Sequence, residues 1–459
     1  MTTVSADFTL PVASTDLPQV ERRASLPAGF RAGGLAAGIK ASGRPDLAIA
    51  VTTAGPAAVA AVFTANAFAA APVRRSRANL AATSGDARGG FGWAQAVIST
   101  SGSANAATGA PGDEDQADVG RQLAAAVGIP EAHVLHLSTG IIGTRLPLDR
   151  VAAGIEALVP ALELSDTGLE AAAVALCTTD SVIKTATTTV ELPDSDDRPV
   201  TVTVSGIAKG VGMIHPSMAT MLAVVLTDAS IQPALLWSLM RPAVARTWNQ
   251  LSVDGDTSTN DTVFVLASGA SDAAEILPGT SSAAALGRAI EAVARDLARQ
   301  QAADGEGATI LITAAVRGAR DGAEARAVAR AIVSSSLVKA AAHGKDPNWG
   351  RIAGAAGNAR LATAAVLEAA GLDPDEAAAR AGTPATLDPD RLHIAIAGHP
   401  VFDGTLGGPL PFDRGAARTA MDAAELRIDL DLRLGDGTGE AFGCDLTEAY
   451  VLENSEYTT

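Results

Sequence analysis

HPSMATMLAVVLTDA, residues 215–229, is the stretch from which the fold prediction begins. Its second half is rich in Val and Leu and favours a buried strand, while its first half holds the proline and serine of a turn. Thr220 lies where the two meet. Threonine favours strands, so Thr220 is explained by its place at a strand start. The alternative is a chain cut between Ala219 and Thr220, because an N-terminal threonine can use its own α-amine as the base for its hydroxyl.

The amino-acid composition predicts an α/β protein. Hydrophobic residues make up 47% of the 459 residues but aromatic residues only 3%, so Ala, Val, Leu and Ile must form the interior. Such side chains suit helices packed on sheets. A chain of this length is expected to form two or three packed units.

Charge and cysteine content narrow the classes of partner. With 34 basic and 51 acidic residues the net charge is −17, which repels phosphate backbones. Cys177 and Cys444 are too few for a disulfide framework or a thiolate metal site. The first residues lack a secretion signal, and no apolar run approaches the roughly 20 residues that span a bilayer. We therefore expect a soluble cytoplasmic protein with no nucleic-acid or membrane partner.

Hydrophobic periodicity predicts most of the secondary structure. Strands are predicted at 47–53, 57–65, 94–100, 175–192, 200–210, 221–229 and 426–447. Helices are predicted at 112–127, from Pro233 onward with an interruption or kink at Pro242, at 283–305 and at 325–344, with a further helical excursion within 360–390.

Four features of the sequence resemble functional motifs, and each is weak on its own. SVDGDTSTND, 252–261, spaces its acids like a calcium loop, but Thr259 replaces the required glycine and Val265 the bidentate glutamate, which favours a hydrogen-bonded turn. HLSTGIIG carries Thr139 and a glycine at a strand end, where N–H groups can converge on an anion, although taken alone an ordinary turn is favoured. GVGMIH fails the dinucleotide fingerprint at its last position, and the six histidines lack metal-ligand spacing.

Several separated stretches follow one another in a fixed order along nearly the whole chain. They are LPAGFRAGGLAAGIKASG, LSTGIIG, CTTD, AKGVGMIHPSMATML, SVDGDTSTNDTV, DGEGAT, KDPNWGRIAGAAG and YVLENSEYTT. Together they resemble the ornithine acetyltransferase family of arginine biosynthesis, self-processing enzymes with a threonine nucleophile. The resemblance implies a layered α/β sandwich of the ornithine acetyltransferase and DmpA type, with two α/β units and no doubly wound Rossmann sheet.

The resemblance implies that the chain processes itself. Thr220 would first break the bond between Ala219 and Thr220 and later carry an acetyl group. The products would be an N-terminal chain, 1–219, and a C-terminal chain, 220–459. The family assembles these as an α2β2 heterotetramer.

Further roles carry over from the same resemblance. Thr139 and Gly140 would form an oxyanion hole, whose donors act on the developing negative charge. The positions that would bind substrate are Thr178, Lys209, Thr220, Glu306, Asn454 and Thr459. A cation, a carboxylate and neutral hydrogen-bonding groups suit a zwitterionic amino acid.

The implied reaction is a ping-pong transfer. Acetylornithine would acylate Thr220, ornithine would leave, and glutamate would collect the acetyl group. No metal or cofactor is implied. Some relatives also take acetyl-coenzyme A as a co-substrate, and the sequence does not separate the two kinds.

Four departures from the family pattern leave the acyl acceptor open: Ser103, Ala107, Ile183 and Ile310. A paralogue that acetylates another amine in secondary metabolism fits the same scaffold. The main rival is a self-processing amidohydrolase or aminopeptidase with an N-terminal nucleophile, in which water takes the acyl group. A catalytically silent assembly or regulatory protein is the second rival, and its chain would stay uncut.

Overall fold

The computed structural model describes residues 16–215 and 221–455. Within these ranges the strands assemble into three sheets. In chain order they are β1 (Phe30–Leu35), β2 (Leu47–Thr52), β3 (Ala57–Phe63), β4 (Phe91–Ala94), β5 (Ala96–Ser103), β6 (Val134–Ile141), β7 (Lys184–Pro193), β8 (Pro199–Lys209), β9 (Leu222–Thr227), β10 (Leu251–Ser252), β11 (Thr262–Ala267), β12 (Leu311–Ala319), β13 (His393–Ile396), β14 (His399–Asp403), β15 (Gly408–Pro409), β16 (Glu425–Asp431) and β17 (Gly437–Cys444).

Helices connect the strands and cover the sheet faces. In chain order they are α1 (Ala71–Ser84), α2 (Gly109–Val127), α3 (Leu148–Leu158), α4 (Asp166–Leu176), α5 (Pro233–Arg246), α6 (Ser281–Ala303), α7 (Gly322–Ser334), α8 (Ser336–His343), α9 (Trp349–Gly357), α10 (Ala364–Ala369), α11 (Pro374–Arg380), α12 (Arg414–Ala420) and α13 (Glu448–Ser455). Several begin at side-chain caps: the Thr280 hydroxyl accepts a backbone N–H at the start of α6, and the Asp321 carboxylate does so at α7. In the described ranges, no helix has both the length and the apolar character that crossing a lipid bilayer requires.

The six-stranded sheet, called the central sheet below, has the strand order β4-β3-β11-β9-β8-β7. Its inner strands β3, β9 and β11 are continuous apolar runs, as expected of strands that are covered on both faces. β9 and β11 run parallel, and the other neighbours are antiparallel. Leu222, at the start of β9, pairs with Lys209 on one side and Thr262 on the other, so the ends of β8, β9 and β11 meet.

The central sheet is one layer of a sandwich. α5 and α6 cover one of its faces with an apolar core. α1 and α4 lie against the other face and separate it from the four-stranded sheet β1-β2-β5-β6. α2 and α3 cover the outer face of that second sheet. The layered α/β fold expected from the sequence is therefore confirmed.

The seven-stranded sheet has the order β10-β17-β12-β16-β13-β14-β15. Its apolar face packs on α7, α8 and α9. α6 packs on β12 and β17 from the opposite side, where Arg295 pairs with Glu440 and Arg299 with Glu425. α6 thus joins the central sheet to the seven-stranded sheet.

The predicted boundary between 1–219 and 220–459 lies outside the described residues and stays a prediction. The strands on either side of it are neighbours, with pairs from Val204 and Thr227 to Lys209 and Leu222. Strands from both predicted chains therefore build the central sheet. Two chains cut at this place would remain joined by its backbone hydrogen bonds.

Several details of the secondary structure differ from the sequence predictions. The alternation predicted as a strand over 426–447 is two strands, β16 and β17, which β12 separates in the sheet. The strand predicted from 175 was wrong at its start, because Ala175 and Leu176 end α4 and β7 begins only at Lys184. The single helix predicted over 325–344 is two helices, α7 and α8, because the Ser335 side chain caps the second. Pro242 does not interrupt α5, which continues to Arg246.

Leu297→Ala should lower the free energy of unfolding by about 2–5 kcal/mol, because this α6 side chain is fully buried in the core against the central sheet. Urea unfolding followed by circular dichroism measures the change. The matched control is Leu277→Ala, since Leu277 is 57% exposed, and its effect should stay within about 0.5 kcal/mol. Equal effects for the two variants would contradict the burial argument.

Candidate functional site

A cavity of about 290 Å³ opens where the central sheet meets the four-stranded sheet. This volume suits a small molecule. Among the described residues, those that line it are Ala104, Thr139, Gly140, Ile141, Ile142, Lys209, Gly212, Met213, Ser258, Thr259, Asn260, Glu306 and Asn454. Five residues predicted for the site are thus brought together from distant parts of the chain: Thr139, Gly140, Lys209, Glu306 and Asn454.

Thr139 and Gly140 lie at the carboxyl end of β6. Gly140 has φ +126°, and a Cβ on it would lie 2.4 Å from the carbonyl carbon of Gly102 on β5, so only glycine fits. The Asn260 amide holds this end of the sheet, because it donates to the Ser138 carbonyl oxygen (2.8 Å) and to the Ala104 carbonyl oxygen just after β5 (2.6 Å). The strand end is therefore fixed beside the cavity.

Glu306 extends into the cavity from the loop after α6. The Thr179 hydroxyl donates to its Oε1 at 3.2 Å, and the Asn454 amide donates to its Oε2 at 3.0 Å. Gly212 lies against this carboxylate, since a Cβ there would be 2.2 Å from Oε2. The Glu306 N–H donates to the Val211 carbonyl at 2.8 Å, so backbone and side chain are both held.

Lys209 ends β8 and contributes the cation of the cavity. Its ammonium donates to the Thr178 hydroxyl at 3.2 Å, which brings the predicted residue Thr178 to the site. Gln301 on α6 donates to the Lys209 carbonyl at 2.8 Å. Burial lowers the pKa of Lys209, and the negative charge of Asp180 opposes that effect. The cavity therefore offers a cation and a carboxylate to one ligand.

Asp180 braces the loop that carries Thr178. Its Oδ1 accepts from the Lys184 ammonium (2.6 Å) and from the Gly210 N–H (2.9 Å), and its Oδ2 accepts from the Thr178 N–H (3.0 Å). Burial alone would raise the pKa of Asp180, but Lys184, Lys209 and these hydrogen bonds hold it below its ordinary value. Asp180 is therefore a charged bridge between this loop and the end of β8.

Asp304 completes the same arrangement from the end of α6. Its Oδ2 accepts from the Lys184 ammonium, from the Ser181 N–H (3.1 Å) and from the Val182 N–H (3.4 Å). The Lys184 side chain has no exposed surface. The position of Glu306, two residues beyond Asp304, is thereby tied to the loop after α4.

Three predicted site residues, Ala219, Thr220 and Thr459, lie outside the described residues. Their assignment as cleavage site, nucleophile and substrate contact stays a prediction.

Sequence reasoning missed further residues of the cavity, among them Gly212 and Asn260, and it also missed Thr179, which donates a hydrogen bond to Glu306. All three fall within stretches already quoted for the family resemblance, CTTD, AKGVGM and the SVDGDTSTNDTV segment. Their place within those stretches was the sequence signal that could have identified them.

Asp254 confirms the interpretation of 252–261 as a hydrogen-bonded turn. Its carboxylate accepts the backbone N–H groups of Met213, Ile214 (2.9 Å) and Asp256 (3.1 Å). These bonds use the oxygen lone pairs that a calcium ion would require. The turn instead fixes the segment that follows β8.

The chain matches one protein family and several named relatives. A profile of the ArgJ family matches residues 31–459. The arginine biosynthesis bifunctional protein ArgJ of Thermus thermophilus is 43% identical over 443 residues, which cover 95% of this chain and 99% of that protein. The protein of the same name from Geobacillus stearothermophilus is 39% identical over 433 residues, covering 94% and 95%.

Solved structures with similar sequences were also found. The crystal structure of arginine biosynthesis bifunctional protein ArgJ from Bacillus halodurans is 37% identical, with a TM-score of 0.44, and covers 51% of this chain and 99% of that one. The ornithine acetyltransferase of Mycobacterium tuberculosis complexed with ornithine is 38% identical, with a TM-score of 0.37, and covers 43% and 98%.

Lys184→Met should lower the free energy of unfolding by about 3–5 kcal/mol, because it leaves the buried carboxylates of Asp180 and Asp304 without their cation. Urea unfolding measures the change. Lys345→Met is the matched control: its partner Asp422 is 67% exposed, so the loss should stay below about 1 kcal/mol. A Lys184 variant as stable as the control would show that the network does not hold the loops.

Proposed function

The chain belongs to the ArgJ family, and we propose that it is an acetyltransferase of arginine biosynthesis that moves the acetyl group of N2-acetylornithine to glutamate. Its relatives that match over nearly their whole length are named arginine biosynthesis bifunctional proteins. The observation that carries the proposal is that Lys209 and Glu306, two groups of opposite charge, line one small cavity.

The cavity is suited to an amino-acid substrate. Lys209 offers a cation to the substrate carboxylate, and Glu306 offers a carboxylate to a substrate ammonium group. Thr178 and Asn454 add neutral hydrogen-bonding groups beside these two charges. Lys209 and Glu306 lie on separate elements, and buried hydrogen bonds hold those elements in place. The distance between the two charges is therefore fixed, which favours a zwitterion whose own charges have a matching separation.

The proposed chemistry begins with self-cleavage: the Thr220 hydroxyl attacks the Ala219 carbonyl carbon, and the peptide C–N bond breaks to give an ester and a free α-amine on Thr220. Water then hydrolyses the ester, which releases the Ala219 carboxylate and restores the Thr220 hydroxyl. The freed α-amine then takes the proton of the Thr220 hydroxyl, whose oxygen attacks the acetyl carbonyl of acetylornithine. The amide bond breaks, the ornithine amine takes the proton and leaves, and the acetyl group remains on Thr220 as an ester. The glutamate amine attacks this ester, which forms acetylglutamate and restores the hydroxyl.

Thr139 and Gly140 are proposed to stabilise the oxyanion of both steps. The fixed end of β6 supports this role, because oxyanion donors act only when they are held in place before the charge develops. A donor of this kind contributes about 3 kcal/mol to the transition state.

The second activity proposed is acetylation of glutamate with acetyl-coenzyme A as donor. The relatives are named bifunctional, and the resemblance noted from the sequence includes members that use this donor. No bound cofactor takes part in either proposed reaction.

We propose that the two cleaved chains stay together and form an α2β2 heterotetramer. The central sheet supports the pairing within one αβ unit, because β8 and β9 would belong to different chains yet remain hydrogen-bonded. The doubling of that unit rests on the family resemblance alone. A cytoplasmic location is proposed from the two buried free cysteines, Cys177 and Cys444.

Thr220→Ala should give one intact chain without transferase activity, because it removes the hydroxyl needed for both cleavage and acetyl transfer. Intact-mass analysis of wild type and variant, before and after addition of acetylornithine, reports the cut and the acetyl adduct together. Wild-type protein should show a chain that starts at Thr220 and gains one acetyl group. Two fragments from the variant, or acetate release from acetylornithine at a rate independent of glutamate, would refute the proposal.

Glu306→Gln should leave processing intact and raise the KM for acetylornithine by about thirtyfold, because loss of a charged hydrogen bond costs about 2 kcal/mol. Steady-state kinetics measure the change. Glu453→Gln is the matched control, since Glu453 is an exposed residue beside Asn454 on α13, and its KM should stay within about twofold. Unchanged kinetics in Glu306→Gln would remove Glu306 from the site.

A further inference from the structure

A cavity of about 330 Å³, called the seam cavity below, lies where α6 joins the central sheet to the seven-stranded sheet. The end of α5, α6, α7 and β17 supply most of its lining. It shares no described residue with the candidate active site, and the proposed acetyl transfer uses none of its side chains. It is also distinct from the larger cavity, of about 890 Å³, whose lining includes residues of α7 and α9 and His215.

The seam cavity carries an excess of positive charge. The charged residues of its described lining are four arginines and two glutamates: Arg246, Arg288, Arg295, Arg326, Glu291 and Glu440. Two positive charges are therefore unmatched, in a protein whose net charge is −17. A local excess of this kind attracts anions.

Both glutamates are already bound by arginines of the same lining. Arg246 donates through its Nε and Nη2 to the two carboxylate oxygens of Glu291, at 2.7 and 2.5 Å. Arg295 donates through the same two nitrogens to the two carboxylate oxygens of Glu440. These bidentate pairs neutralise both acids and two of the four arginines.

Arg288 on α6 and Arg326 on α7 are the unmatched cations. Neither forms an ion pair or a hydrogen bond within residues 16–215 and 221–455. Arg288 is exposed and Arg326 is half-buried. None of the Arg326 nitrogens is among the unpaired side-chain atoms of the described residues that are fully buried. A ligand in the cavity can therefore reach both guanidinium groups.

Two glycines leave room for the Arg326 side chain. A Cβ on Gly439 of β17 would lie 2.8 Å from the Arg326 Cγ, and a Cβ on Gly322 of α7 would lie 2.9 Å from its Nη1. A side chain at either position would crowd Arg326. This close packing restricts the guanidinium before any ligand binds, which lowers the entropic cost of binding.

The surroundings of Arg326 also favour an anion. Burial and the positive charge of Arg246 lower the pKa of Arg326 to about 10, and Asp321 and Glu291 oppose the effect. The guanidinium is still charged near pH 7. An anion beside Arg326 would offset both the burial of this charge and its repulsion by Arg246.

The number of unmatched charges fits a phosphate dianion. A terminal phosphate group has three acceptor oxygens and up to two negative charges. One guanidinium can donate two parallel N–H bonds to it, so the two free guanidinium groups together match one phosphate. A cavity of about 330 Å³ also has room for a small organic group attached to that phosphate.

We propose that the seam cavity binds a phosphate dianion between Arg288 on α6 and Arg326 on α7. The same chemistry is presented by free phosphate and by a small phosphorylated metabolite, and the experiment below separates these two sources. The inference does not depend on the proposed function, because neither proposed reaction uses this cavity. A bound phosphate would tie α6 to α7. Because it binds only the folded chain, it would raise the midpoint of thermal unfolding.

The test measures binding to the purified wild-type protein and to three variants. Thermal unfolding and calorimetry are carried out with inorganic phosphate, glycerol 3-phosphate and succinate at one ionic strength and at about pH 8, where a phosphate monoester is a dianion. Succinate is the dianion without a phosphate group. The variants are Arg326→Gln and, in case that change disturbs folding, the exposed Arg288→Gln. Arg418→Gln, at an exposed position on α12, is the charge-matched control.

Both phosphates should raise the midpoint of thermal unfolding, and succinate should raise it less. Arg326→Gln and Arg288→Gln should each weaken the binding of both phosphates about tenfold or more, whereas Arg418→Gln should stay within about twofold of wild type. Tighter binding of glycerol 3-phosphate would support a phosphorylated metabolite as the source, and equal binding of the two would support free phosphate. No binding of either phosphate, succinate binding as tight as phosphate, or unchanged affinity in both cavity variants would overturn the proposal.

Discussion

Lys184 has no exposed side-chain surface, and its ammonium group lies between the carboxylates of Asp180 and Asp304. A lone ammonium at such depth would cost several kcal/mol, so the cation and both acids are required together. Each carboxylate also accepts backbone N–H groups. The charge cluster therefore holds together three chain segments: the loop after α4, the end of β8 and the end of α6. Those segments carry Lys209 and Glu306, which line the cavity, and Thr178, which accepts a hydrogen bond from Lys209. The geometry of the cavity thus depends on a charge cluster whose members, Asp180, Lys184 and Asp304, are not among the described residues that line it.

The central sheet supplies the second constraint. Lys209 and Leu222 are paired residues on β8 and β9, so the two ends of the segment between them are fixed by backbone hydrogen bonds. A cut between β8 and β9 would leave these backbone hydrogen bonds unbroken. If the chain is cut as proposed, this pairing keeps Leu222, two residues beyond the cut, beside Lys209.

Much of the fold could be predicted because its signals are local. α6 and β9 follow from helical spacing and an apolar run, and both were found where the sequence placed them. The strand predicted from 175 failed because the alternation continues through the end of α4, where Leu176 is buried as a helical residue. For the site, the resemblance supplied Lys209 and Glu306. The Thr179 contact to Glu306 spans 127 residues, and no local pattern reports a contact of that range.

The segment after β8 shows how one piece of backbone can serve two cavities. Asp254 holds it by accepting the backbone N–H groups of Met213 and Ile214, and the His215 ring adds a hydrogen bond with the Ser252 hydroxyl. The side chains of the segment differ in character, an apolar thioether beside the smaller cavity and an imidazole beside the larger one. The carboxylate that made 252–261 look like a calcium loop is therefore explained by its backbone partners. Because these partners come from the segment between the cavities, any change at Asp254 should affect both cavities together, whereas changes at Glu306 or Arg330 should affect one.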